Sequence, residues 1–263
     1  RRPGVNRMAL MKTSNPALGD KTFTDLMKGG QFGDLADAAR MTLSGTVNKT
    51  GILLLCTICT AAYTWRMFVQ AGDASAVGPL VLVGALGGFV LAMVTIFKKE
   101  WAPVTAPIYA LLEGVALGGI SAVTNARYPG IGIQAVSLTF GTLFVLLLAY
   151  QSGLIKVTDK LRLGIVAATG GIAAFYVLEL LLSFAGIRFA AINGSGWIGI
   201  GFSLFVVAIA ALNLVLDFDF IEQGVAVGAP KYMEWYGAFG IMVTLVWLYL
   251  EILRLLSKMR SRN

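Results

Sequence analysis

A chain of 263 residues with 57% hydrophobic and only 13% charged side chains, at a mean hydropathy of +0.77, leaves little material for a soluble domain, which ordinarily carries about 25% charge. The net charge of +7 would suggest nucleic acid in a soluble protein, but here Lys and Arg fall mainly in the tails and certain loops, as topology signals and anionic-lipid contacts do, so no nucleic-acid partner is expected. With no His, and two Cys in one apolar segment, the chain cannot build a histidine metal site, a Ser-His or Cys-His constellation or a disulfide framework; neither enzyme catalysis nor a cofactor is expected.

Residues 1–48 are polar, mixed in charge and rich in Gly, and read as a cytoplasmic arm that could contact a membrane-protein partner. Hydrophobic segments follow at about 51–71, 78–97, 104–125, 131–151, 163–187, 197–220 and 236–256. Each is long enough to cross a hydrocarbon core of roughly 30 Å as a helix, and the runs are continuous rather than alternating, which argues against a β-barrel. The expected fold is all-α: a polytopic membrane helix bundle of about seven spans over 49–258, with a basic tail at 259–263. Gly84 and Gly88, and Gly114 and Gly118, have the small-xxx-small spacing that lets helices approach closely, although glycine is also simply common in membrane helices. Cys56 and Cys59 read as packing residues of an apolar helix. Gly194, Gly196 and Gly199 match a dinucleotide-binding pattern in letters only, since no strand precedes them.

Basic residues set the orientation. The arm is rich in Lys and Arg, Lys98 and Lys99 lie between the second and third segments, and Lys156, Lys160 and Arg162 between the fourth and fifth, so the N-terminus is expected in the cytoplasm. Seven crossings then put Lys258, Arg260 and Arg262 outside, against the rule. Either the last segment is re-entrant or the tail is an exception; seven full spans is the preferred expectation.

Ionisable groups at membrane depth cost a few kcal/mol each and are functional candidates by default. They are few here: Glu113, Glu179, Asp217, Asp219, Glu222 and Glu251. Asp217 and Asp219 lie about 200° apart on a helix, so they cannot share a face. Ser203, Ala210, Asn213 and Asp217 form a small and polar stripe, which makes Asp217 the inward acid and leaves Asp219 and Glu222 to reach headgroups or water. Glu251 shares a face with Gly240, Thr244 and Trp247; it either shares a proton with Asp217 or pairs locally with Arg254. Helices ending near 221 and restarting near 236 would put Glu251 roughly 22 Å up from the inner face while Asp217 stays near it. Glu113 and Glu179 are candidates for a polar path or for structural hydrogen bonds.

Particular runs add a resemblance. Lys98-Lys99-Glu100-Trp101-Ala102-Pro103, Pro107 to Gly114, Ala211 to Glu222, Glu234-Trp235-Tyr236, the ending Leu-Tyr-Leu-Glu-Ile-Leu-Arg-Leu-Leu, and Met41-Thr42 with Gly45 and Lys49-Thr50 resemble the bacterial branch of the Bax-inhibitor-1-like (TMBIM) family of membrane proteins. The resemblance implies six helices around a central hydrophobic seventh, residence in the bacterial plasma membrane, and a pH-sensitive calcium leak gated by paired acids on helices six and seven. By position those acids are Asp217 and Glu251, with calcium only a transient permeant ion. Two departures are visible: the second acid is usually Asp, and the basic residue that helix two contributes in relatives has no counterpart in 78–97. The competing expectation is a non-conducting regulator or partner of a membrane protease or larger membrane complex; a proton-coupled transporter is weaker, since no inverted repeat is visible.

Overall fold

The computed structural model describes residues 40–186 and 189–262; the expected arm therefore lies outside the described residues except at its end. The described chain is helical apart from one isolated bridge between Arg40 and Pro230. The long helices are α1 (Leu43–Ala71), α2 (Gly78–Phe97), α3 (Ala102–Arg127), α4 (Ile131–Gln151), α5 (Asp159–Phe184), α6 (Trp197–Ala226) and α7 (Met233–Arg262), with short turns between them. All seven are long and apolar enough to cross a membrane, and each coincides with one predicted segment. The protein is an integral membrane helix bundle.

The ends of the helices differ from expectation for local reasons. α1 starts at Leu43 rather than near 51 because Thr42 caps it, its hydroxyl accepting from the Gly45 amide at 3.0 Å. The link between α6 and α7 is much shorter than its sequence suggests. α6 runs on to Ala226 and turns sharply at Gly228, whose φ of 71° is the left-handed conformation glycine tolerates, while the Ala229 amide donates back to the Gly224 carbonyl. α7 begins directly after, at Met233, and continues unbroken through the basic tail to Arg262.

α7 is therefore one continuous helix, not a re-entrant hairpin, and is long and apolar enough for a full crossing. Its first turn lies beside the start of α1, where the Met41 amide donates to the Ala229 carbonyl at 2.7 Å, and its last turns lie beside the connection between α5 and α6. The exceptional basic tail is engaged by the protein at that end. Lys258 spends its three ammonium donors on the carbonyls of Ile192 and Gly199 and the Ser203 hydroxyl, Arg260 reaches Gln134, and Arg262 stacks 3.6 Å from the Trp197 ring.

Glycine decides how closely the first three helices pack. A Cβ on Gly114 or Gly118 would collide with the α1 backbone at Thr57 and Ala61, and one on Gly84 would stand 2.6 Å from the Leu112 carbonyl of α3. Both small-residue pairs are thus close-approach sites, with α3 pressed between α1 and α2. Burial grades the bundle from there: 61% of the central stretch of α7 and 56% of that of α3 is buried, against 11% for α5. α7 is the centre, packed on α1, α3, α4 and α6, whereas α2 leans chiefly on α3.

Candidate functional site

α6 and α7 run antiparallel, and two contacts fix their register. The Thr244 hydroxyl donates to Asp217 at 2.6 Å, and Lys258 donates to Ser203 at 2.9 Å, fourteen residues further along each helix. Glu251 therefore comes level with Ala210, two turns from Asp217, or about 10 Å along the axis. The larger gap expected from sequence shrinks because α6 continues beyond 221 and carries Asp217 deeper. The acids still do not converge on one partner.

The small and polar stripe of α6 faces inward along its whole length, with Ser203, Ala210, Asn213 and Asp217 all buried. Asp217 is completely enclosed. Between the two acid levels, the Asn213 amide donates to the Thr169 hydroxyl of α5 at 2.8 Å and to the Ile209 carbonyl. Glu251, 2% exposed, accepts from the Tyr176 hydroxyl of α5 at 2.9 Å and from Arg254 at 3.1 Å, so the local pair with Arg254 is realised. Arg254 donates to Tyr176 as well, closing a three-membered polar cluster.

The remaining acids are distributed around this axis. Asp219, 18% exposed at its side chain, is ion-paired with the buried Arg162 at the start of α5 and accepts from Gln223 at 2.6 Å. Glu222 is exposed and accepts from the Tyr150 hydroxyl at the end of α4. Glu113 lies between α2 and α3, where the missing side chain of Gly88 makes its room. Glu179 accepts from Asn193 near the far end of the bundle. α2 supplies no base, as its sequence requires; among the described residues the cations ion-paired with these acids are Arg162 from α5 and Arg254 from α7 itself.

One buried acid escaped the search for charges within apolar segments, because it lies just before the seventh. Glu234 is fully buried in the first turn of α7 and accepts from Lys49, from Lys231 at 3.0 Å, and from the Thr42 amide and hydroxyl at 2.9 and 2.7 Å. A Cβ on Gly45 would overlap its carboxylate, so that glycine is the notch the acid fills. Lys49 also lies 5.5 Å from the Trp235 ring centroid. Beside it, burial and the nearby Glu100 carboxylate push the Tyr232 hydroxyl above its ordinary range. The available signal was the pair of runs around Met41-Thr42 and Glu234-Trp235, nearly 200 residues apart, which the fold brings into one cluster.

No curated protein and no solved structure matches the chain. The model of the Bax inhibitor 1 like family matches residues 8–261, nearly the whole length and including both acids of α6 and α7 and the Glu234 cluster. The chain belongs to the Bax inhibitor 1 like family.

Proposed function

We propose that this protein is a pH-sensitive cation leak, with calcium as the permeant ion, whose gate lies along the contact of α6 with the central α7. The observation that carries this reading is Asp217: a carboxyl wholly enclosed at membrane depth, hydrogen-bonded to Thr244 of the facing helix. An ionised acid at that depth costs a few kcal/mol unless water or a cation reaches it. Loss of its proton is thereby coupled to parting of α6 from α7, and gain of a proton to closure. Glu251 acts two turns away through its own cluster with Arg254 and Tyr176, so the gate consists of two separately partnered carboxyls rather than one pair sharing a proton. The membrane is proposed to be the bacterial plasma membrane, with the start of α1 on the cytoplasmic side.

The test uses the full chain in liposomes loaded with a calcium indicator. Calcium should enter faster as pH rises from 6 to 8, and Asp217→Asn should flatten that dependence while Glu251→Gln shifts it. Flux equal to that of protein-free liposomes across the range would sink the leak and leave the non-conducting regulator as the reading to pursue.

A further inference from the structure

α1, α3, α4 and α7 enclose an apolar cavity of about 620 Å³, within the range of small-molecule sites. Its floor is buried and belongs to α3 and α7, with Leu117, Met242 and Tyr249 prominent. Its side walls are open: Ile58 on α1 is 51% exposed and Ile133 on α4 is 76% exposed. In a bilayer such surfaces face acyl chains, so this is a groove opening sideways to lipid, not an aqueous vestibule. The buried hydroxyls along it are already spent. Thr57 and Thr139 bond backbone carbonyls, and Ser121 bonds the Leu117 carbonyl and, at 2.5 Å, the Tyr249 hydroxyl. Nothing in the floor calls for water.

A second observation says what fills it. At the end where α1 finishes and α4 starts, the Trp65 ring closes over Gly132, on which a Cβ would stand 3.2 Å from the ring. Ile58 and Ala62 line the groove at four-residue spacing, and the next residue on that line is Arg66, exposed and making no hydrogen bond or ion pair with any described residue. A lone cation beside a tryptophan near the end of a span is placed at headgroup level. Apolar groove and unpaired cation are thus aligned as the two halves of one anionic amphiphile.

We propose that a single anionic phospholipid of the leaflet at that end occupies this groove, with an acyl chain between α1 and α4 against Leu117 and Tyr249 and its phosphate on Arg66. The site is separate from the acids of the proposed gate, although α7 forms part of its floor. Zwitterionic lipid with the same chains would fill the groove but lack the net charge that Arg66 selects.

The full chain, reconstituted in an equimolar mixture of phosphatidylglycerol and phosphatidylcholine with identical chains and then released from mild detergent, is examined by native mass spectrometry. One retained lipid per chain is expected, with phosphatidylglycerol favoured about fivefold, the preference one basic residue near the surface confers. Arg66→Gln should keep a retained lipid and bring the preference close to one. Val136→Trp, which fills the mouth from α4, should abolish retention with Arg66 intact; Ala62→Phe does the same from α1 should the first variant fail to fold, as judged by its thermal unfolding. Retention unchanged in the folded groove-filling variants, a phosphatidylglycerol preference unchanged in Arg66→Gln, or a broad distribution of lipids without a step at one would each overturn the proposal.

Discussion

At the start of α7, Glu234 is wholly buried and its carboxylate takes up two lysines together with the hydroxyl and amide of Thr42, against a glycine that no other residue could replace without collision. Seventeen residues later, Glu251 is almost as buried, but its cation Arg254 is half exposed, like Lys231 and unlike the shielded Lys49, and its other donor, Tyr176, stands on the least embedded helix of the bundle. Burial of the acid is the same; the setting of its partners is not. The first cluster ties α7 to α1 and to the turn after α6, so it can only break with the fold. The second joins α7 to the helix with the least burial inside the bundle, which is where a change of protonation is expected to alter structure at the smallest packing cost.

The largest effect that would sharpen this contrast is Glu234→Ala. It strands Lys49 and the Thr42 donors and should cost about 3 kcal/mol, as breaking a buried ion pair from one side does, whereas Glu251→Ala should cost less than half as much. Unfolding in detergent, followed by helical signal against temperature or denaturant, measures both; equal losses would break the comparison. Next comes Gly45→Ala, at about 1 to 3 kcal/mol from overpacking against a fixed carboxylate. Gly88→Ala should be milder, because there the new methyl meets the flexible end of Glu113 rather than a group held by four donors. The same unfolding assay ranks them.

Smaller still is Tyr176→Phe, expected to lose about 1 kcal/mol of stability with one hydrogen bond. Its more telling readout is calcium flux: the pH midpoint should move, since Glu251 keeps Arg254 but loses its α5 partner, while Lys49→Met should leave that midpoint in place. The smallest perturbation is none at all. Amide exchange of the unmodified protein should run faster in the middle of α5 than in α3 or α7, and equal protection would place the mobile element elsewhere.

Much of the architecture was legible from the residues. Seven spans follow from apolar runs that must satisfy their own backbone in lipid, and the inward face of α6 follows from the four-residue spacing of Asn213 and Asp217. Helix ends were less legible, because they rest on single contacts: Thr42 lengthens α1, and the left-handed Gly228 shortens the link before α7. The partner of Asp219 was not legible for a similar reason: Arg162, fifty-seven residues earlier, reaches it from α5.

Sequence by itself determined what depends on neighbours along the chain: membrane residence, the number of long apolar helices, and which face of α6 is polar. Tertiary structure alone decided which groups those acids meet. Asp217 meets Thr244, Glu251 meets Tyr176 and Arg254, and Glu234 meets Thr42 and Lys49 across more than 180 residues. The physical reason is that hydropathy and periodicity act within a helix, whereas the register between helices is set by close packing on glycines such as Gly45 and Gly114, and a carboxylate's partner is whatever that register brings within hydrogen-bond reach.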